Sequence, residues 1–316
     1  MKALVTGGAG FIGSHTVKAL LRLGHQVTVI DDLSTGCEEY LPSGCVFVQG
    51  DVRDRALLTR TARDQNAVIH LAAYVSLPDS FEHPEECLDI NVGGTANVME
   101  AACQAGVSTV VLASSSAVYA GGPPDPKHEK EKPQPGSPYA ESKLQAEGIL
   151  RRYEARGRVH GVALRYFNVY GPYQSADSDY AAVIPIFVER ALAGQTLVVC
   201  GDGRQTRDFV YVEDVAMANI AALSHHGCGP YNIGTGQGSS ILALGRLIIQ
   251  LTGSRSDLKF APSRPGDVPA CTADIRRARD ELGWSPTTSL SSGLAETIGW
   301  WEQQRSKHPD LRPGVA

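Results

Sequence analysis

Three glycines at three-residue spacing, Gly7, Gly10 and Gly13, follow an apolar run over residues 2–6 and head an amphipathic stretch that ends near Gly24. Residues 26–31 then read as a second strand, with Val27, Val29 and Ile30 as its apolar positions and an acid, Asp31, at its end. Strand, glycine turn, helix, strand and acid, in that order, form the first half of a parallel dinucleotide-binding unit. Gly7 permits the tight turn, Gly10 lets the backbone approach a pyrophosphate, and Gly13 lets the helix pack closely. Phe11 and Ile12 open that helix, whose free N–H groups and positive dipole end suit phosphates. Asp31 can accept both ribose hydroxyls of an adenosine. Its charge repels a 2′-phosphate, so NAD is expected rather than NADP.

The pattern continues. Residues 45–48 read as a third strand, followed by Asp51 and Val52, placed for the adenine edge. Residues 67–70 form a fourth, ending in Leu71, Ala72 and Ala73, small or apolar residues against which the cofactor can lie. His70 is expected in the core. A helix through Asn91 leads to an apolar strand, residues 109–113, closed by Ser114-Ser115-Ser116. Alternating strands and helices predict a doubly wound parallel α/β sheet with ligands at the carboxyl ends of its strands. Ser137 as cap and Pro138 in the first turn start another helix. On it Tyr139 and Lys143, four residues apart, share a face. A phenol beside an ammonium, facing a strand-end serine, is an arrangement for lowering a tyrosine pKa and moving a proton. The proline-rich, charged residues 120–136 are expected to form an exposed loop without chemistry.

After a strand at residues 162–166 the strands shorten and Gly/Pro turns multiply, with helices expected at about 181–193, 212–223, 240–252 and 273–282. This predicts a NAD-binding domain over residues 1–168, with a return segment near 207–230. Residues 169–316 would build a smaller α/β lobe closing over the cleft. Arg204, Arg207 and Arg264 are expected on its loops, with Asp208 and Asp267 nearby, and would suit a diphosphate. Arg276, Arg277 and Arg279 read as a solvated helix face.

A net charge of −5 gives no general affinity for nucleic acid. The chain enters its first strand directly after Met1 and has no apolar stretch of about 18 residues, so a cytoplasmic protein without a membrane partner is expected. Seven cysteines without a C-x-x-C pair read as free thiols, and nine histidines without ligand spacing predict no metal site. The last ten residues are expected to be disordered.

Over residues 1–301 the chain resembles the extended short-chain dehydrogenase/reductase family, in particular its NAD-dependent nucleotide-sugar epimerases and dehydratases. The resemblance rests on T-G-G-A-G-F-I-G (6–13), G-D-V-R-D (50–54), H-L-A-A (70–73), S-S-S-A-V-Y (114–119) and S-P-Y-A-E-S-K (137–143). It continues through R-Y-F-N-V-Y-G-P (165–172), R-D-F-V-Y-V-E-D-V-A (207–216), N-I-G-T-G (232–236), R-P-G-D-V (264–268) and A-D-I-R-R-A-R-D-E-L-G-W (273–284).

The resemblance implies that Tyr139, its pKa lowered by Lys143 and the nicotinamide, takes the proton from a sugar 4-hydroxyl as hydride passes from C4 to NAD. Ser115 would bridge hydroxyl and phenolate, and Lys143 would also hold the nicotinamide ribose, with Ser114 and Asn91 beside the cofactor. Asn168, Arg207 and Arg264 would hold the diphosphate of a UDP-sugar and Asp267 its ribose. Dehydratases follow the catalytic hydroxyl with Asp-Glu, whereas this chain has Ser116 and Ala117, which leaves 4-epimerisation of a UDP-hexose. At Cys271 a small residue goes with acceptance of 2-N-acetyl sugars and a tyrosine with unsubstituted ones. UDP-glucose/UDP-galactose and UDP-GlcNAc/UDP-GalNAc are therefore both expected substrates. UDP-glucuronate is the alternative, with Ser116 near its carboxylate. Further alternatives are a nucleotide-sugar dehydratase, a reductase, which would consume exogenous cofactor, and a non-catalytic NAD-binding regulator, which commonly lacks the Tyr/Lys pair. The family also implies a homodimer through a four-helix contact.

Overall fold

The computed structural model describes residues 1–119, 125–176, 182–225, 227–263 and 268–307. Residues 308–316, most of the tail expected to be disordered, lie outside that set. The first six strands are β1 (Lys2–Thr6), β2 (Gln26–Asp31), β3 (Val46–Gln49), β4 (Ala67–His70), β5 (Thr109–Ser115) and β6 (His160–Tyr166). They are followed by β7 (Asn168–Tyr170), β8 (Leu197–Cys200), β9 (Thr206–Tyr211) and β10 (Gly229–Ile233). The last three are β11 (Gly238–Ser240), β12 (Leu258–Ala261) and β13 (Ala270–Cys271).

Seven strands build one sheet in the order β3-β2-β1-β4-β5-β6-β10. Every pairing in it is parallel. The order reverses at β1 and β4, and the crevice outside their carboxyl ends is where such a sheet binds ligands. Burial explains the continuous apolar runs. Val5, Val29, Ile69, Val111 and Leu164 pack on one face, where α1 (Phe11–Arg22) lies. Leu4, Ile30, Val68, Val110 and Leu112 pack on the other, so both faces exclude water. That second face is covered by α2 (Arg55–Thr61), α5 (Gly94–Ala105) and α6 (Pro138–Ala155), with the short α3 (Asp79–Glu82) and α4 (Pro84–Leu88) between α2 and α5 in sequence.

The second half supplies α7 (Val183–Leu192), α8 (Val212–Leu223), α9 (Ile241–Thr252), α10 (Arg276–Leu282) and α11 (Leu290–Lys307). Its α8 packs against α1, and its β10 is the outermost strand of the main sheet beside β6. The remaining strands make two small sheets: β11-β9-β13 with β7 alongside β9, and the pair β12-β8. A separate core of Phe187, Val199, Phe209, Leu244, Ile248, Leu294 and Ile298 sits among them. The sequence reading did not anticipate α11, although Leu290, Leu294, Ile298 and Trp301 recur at helical spacing. No helix among the described residues is long and apolar enough to cross a membrane.

Candidate active site

The glycine turn sits at the reversal point. Gly7 has φ +70°, and a Cβ there would lie 2.5 Å from the backbone nitrogen of Ala72. A Cβ on Gly13 would lie 2.0 Å from the Gly7 carbonyl oxygen, so α1 packs onto the turn itself. Gly10 differs: its Cβ would meet only the Gly7 oxygen, at 3.3 Å. It is also the N-cap of α1, where no side chain caps the helix and no acid stands in the first turn. The first N–H groups, from Phe11, Ile12 and Gly13, are thus left for an anion, and the cradle fits a dinucleotide pyrophosphate.

Asp31, 7% exposed, accepts Ala9 N–H and Leu33 N–H at 2.9 Å, one on each carboxylate oxygen. It fastens the glycine turn to the loop after β2, and each oxygen keeps a second acceptor site for a ribose hydroxyl. Burial raises its pKa. Leu71 and Ala72 donate to the Thr6 carbonyl at 3.0 Å, which lays residues 71–73 against the turn. Asp51 is committed to Arg53, accepting its backbone N–H at 2.7 Å and its Nε at 2.8 Å, and Arg53 holds its carboxyl below the usual range. Val52 is buried at 5% exposure. His70 is a core residue: its ring nitrogens meet Thr6 Oγ1 at 2.7 Å and Thr95 Oγ1 at 3.0 Å, and burial pushes its pKa down to about 3.

Two strands along, β5 ends at Ser115, and α6 packs across it. Ser137 caps α6 by accepting Ala140 N–H at 3.1 Å, and Pro138 occupies its first turn. The Ser115 hydroxyl stands by the Tyr139 phenol, where it favours the phenolate, and accepts Ala117 N–H at 3.2 Å. Lys143, 6% exposed, donates to the Ala113 carbonyl at 3.1 Å, and burial lowers its pKa to about 8. Its ammonium lies 5.8 Å from the centroid of the Tyr139 ring. Burial raises the Tyr139 pKa and the Ser115 hydroxyl opposes it. In the protein alone the ammonium is bonded to a carbonyl; the expected lowering by Lys143 and the nicotinamide belongs to the cofactor-bound protein. Asn91 stands in a π-helical turn, Asp89–Gly93. Its side chain donates to Ser142 Oγ at 2.8 Å and accepts Tyr74 N–H at 2.7 Å, tying that turn to α6. Ser114 turns away from the cleft and donates to Glu147 at 2.6 Å.

The candidate substrate residues meet on the sheet around β9. Arg207 is paired in register with Cys271 of β13, and Asn168 of β7 with Phe209. Arg207 lies in a strand, not on the expected loop, and donates to the Val268 carbonyl at 2.7 Å. Arg204 is exposed beside Asp202, 3.8 Å away. Asn168 is exposed, and Ser116 opens the 3-10 turn Ser116–Tyr119. Cys271, 8% exposed, packs with Tyr119 and Phe167 and with Val118 and Leu144, the sequence neighbours of Ala117 and Lys143, and burial raises its thiol pKa. Arg264 and Asp267 lie outside the described residues.

Two further expectations fail. Lys127, from the loop expected to be exposed, is 2% exposed and forms a parallel bridge with Ala273, while Glu129 accepts the buried Asn232 N–H at 2.9 Å. Their backbone fills the gap between β13 and β10, which no local pattern announces; residues 120–124 of that loop lie outside the described set. Arg277 is no solvated cation: it covers the Tyr231 ring at 4.4 Å and donates to the Pro230 carbonyl at 3.0 Å.

Residues 3–234 match the sequence profile of the NAD dependent epimerase/dehydratase family. The chain is 39% identical over 312 residues to the UDP-glucose 4-epimerase of Mycolicibacterium smegmatis, covering 96% of this chain and 99% of that one. Its fold is similar to the UDP-glucose 4-epimerase of Thermotoga maritima, solved with UDP-glucose, at TM-score 0.93 and 35% identity, covering 96% of this chain and 99% of that one. It is as similar to a UDP-N-acetylglucosamine 4-epimerase of Methanobrevibacter ruminantium in complex with UDP-N-acetylmuramic acid. There the TM-score is 0.93 and the identity 37%, over 96% of this chain and 98% of that one. With its glycine turn, its Tyr139–Lys143 pair and its seven-stranded parallel sheet, the chain belongs to the NAD dependent epimerase/dehydratase family.

Proposed function

We propose that the protein is an isomerase that inverts C4 of a UDP-hexose through a 4-keto intermediate. Its substrates are the pairs UDP-glucose/UDP-galactose and UDP-GlcNAc/UDP-GalNAc. The carrying observation is the end of β5, where Ser115 meets the Tyr139 phenol beside Lys143 and the following Ser116–Tyr119 turn offers no carboxylate. Both kinds of sugar are supported by the relatives, named for UDP-glucose and for UDP-N-acetylglucosamine.

NAD, held by the turn from Gly7 to Gly13, by Asp31 and by residues 71–73, supplies when bound the reversible oxidant for the C4–H bond. The protein's own part is proton chemistry and restraint. Tyr139 as phenolate takes the 4-hydroxyl proton, with Ser115 bridging phenol and hydroxyl. Lys143 keeps a positive charge behind the phenol, where ligand binding can draw it from the Ala113 carbonyl. With no acid or base at Ser116 or Ala117, the C5 proton and 6-hydroxyl stay in place. The ketone turns over in the pocket, so that return of the hydride to its opposite face inverts C4, and Tyr139 gives the proton back to O4. Asn168 and Arg207, with Arg264, hold the nucleotide diphosphate, and Asp267 its ribose, while the sugar turns. The buried, small Cys271 leaves room for a 2-N-acetyl group. The family resemblance extends the proposal to a cytoplasmic homodimer with residues 169–316 as the main sugar-nucleotide lobe.

The test is to incubate the pure protein separately with UDP-glucose, UDP-GlcNAc and UDP-glucuronate and resolve the products by proton NMR. C4 epimers of the first two are expected. No epimer from any of the three overturns the proposal, an epimer from UDP-glucuronate alone replaces the substrate, and a 4-keto-6-deoxy product restores elimination.

A further inference from the structure

Lys143 and Glu147 stand one turn apart on α6 and both face the end of β5. A lysine and a glutamate at this spacing attract one another, the more so where water is excluded. Here they do not pair. Glu147, 2% exposed, is engaged from elsewhere: Oε1 accepts Arg165 Nε at 2.8 Å and the Ser114 hydroxyl at 2.6 Å, and Oε2 accepts Arg165 Nη2 at 2.7 Å. Arg165 reaches it from β6, where it is the in-register neighbour of Ser114. The other end of the guanidinium donates to Tyr119 Oη at 2.8 Å, and Tyr119 donates to Asn232 at 2.6 Å. Arg165 is therefore fixed on both sides, at 3% exposure. Among the described residues no carboxylate pairs with the Lys143 ammonium.

We propose that Arg165 neutralises Glu147 so that the Lys143 ammonium stays at the Tyr139 end of the helix, on the Ala113 carbonyl and available to the phenol when ligands bind, which makes Arg165 a positioning residue for the proton transfer. Without the guanidinium, Glu147 would hold a bare carboxylate within reach of Lys143 and draw its charge down the helix, away from the phenol. The groups that face Lys143 from other elements cannot replace that partner: His70 of β4 is kept neutral, and burial keeps the Cys87 thiol of α4 protonated. Around Arg165 the facing groups are the Tyr119 phenol and, past Asn232, Glu129; Arg151, one turn beyond Glu147, is exposed. The assignment rests on the Tyr139–Lys143 chemistry of the proposed function and gives a role to a residue to which the sequence reading assigned none.

The experiment titrates Tyr139 in the NAD-bound protein by its phenolate absorption, subtracting for each background the same protein carrying Tyr139→Phe. Arg165→Met is expected to raise the Tyr139 midpoint by about one pH unit, with the acid limb of kcat moving in step. Glu147→Gln should leave the midpoint in place, and the double variant should return to within about 0.3 unit of the wild type, because no carboxylate remains to divert Lys143. A residue that merely held the fold together would leave the double variant at least as displaced as Arg165→Met, and that result overturns the proposal. So does an unmoved midpoint in Arg165→Met. If that variant does not fold, Arg165→Lys should give a smaller shift in the same direction, and no shift overturns the idea. Absence of C4 epimer with the wild type would sink the epimerase reading, while the Tyr139 midpoints would still decide this one.

Discussion

The main sheet and the small sheet around β9 assemble their functional residues in opposite ways. At the main sheet, the cofactor turn lies within seven consecutive residues, Gly7 to Gly13, and Tyr139 and Lys143 lie within one helical turn. Around β9, Asn168, Arg207 and Cys271 come from three strands of two to six residues, far apart in the chain. The first site is rigid and local, backed by strands buried on both faces. The second is a meeting of short pieces. Chemistry common to the family can reside in the first, and choice of sugar can be adjusted in the second without disturbing it.

The comparison breaks first at Tyr139. Tyr139→Phe removes the proton acceptor and should lower kcat by about 10²–10⁴-fold on every sugar alike, with NAD still bound. Stopped assays on UDP-glucose and UDP-GlcNAc check it, and a loss on one sugar only would move selectivity into the main sheet. Cys271→Tyr should do the reverse, abolishing turnover of the acetylated pair while sparing the other. Equal losses would remove the small sheet's claim to selectivity.

A third test asks what the rigid site costs. Burial holds Lys143 at about 8, against an ordinary value of 10.5. Below pH 8 the folded protein carries the buried charge in full, and between 8 and 10.5 the unfolded chain binds the extra proton, so stability rises with pH in that window. Lys143→Met is thus expected to stabilise the cofactor-free protein at pH 7 by up to about 3 kcal/mol, an advantage that shrinks toward pH 10.5. Urea unfolding at the two ends of the range measures it, and a difference independent of pH would refute the burial argument. The smallest effects separate two glycines. Gly13→Ala drives a methyl into the turn backbone and should cost about 1–3 kcal/mol, seen as a lower melting temperature. Gly10→Ala has only the Gly7 oxygen to displace and should melt nearly as the wild type yet retain less NAD on gel filtration.

What the sequence revealed follows the same division. The glycine turn, the Ser137 cap and the Tyr139–Lys143 pair were legible because each is a local spacing with one physical meaning. The Glu147–Arg165 pair was not, because it joins a helix to a strand and is defined only once β5 and β6 are in register. Lys127 and Glu129 look like solvent residues in a charged run; their burial depends on backbone pairing with residues 272–274, which only the tertiary fold supplies. The resting partner of Lys143 was hidden for a similar reason. Spacing placed the ammonium on the right helix face, but only coordinates show it bonded to Ala113.

The edge of the main sheet has a consequence for how the chain becomes a protein. Every residue of β6 after His160 is buried, and its outer neighbour is β10, residues 229–233. During synthesis some sixty residues emerge between the two strands. Until then β6 presents an apolar strand with unpaired N–H and C=O groups, a template for pairing with other chains. The second half therefore closes the first as well as adding a lobe to it, and a fragment ending near residue 168 is expected to aggregate.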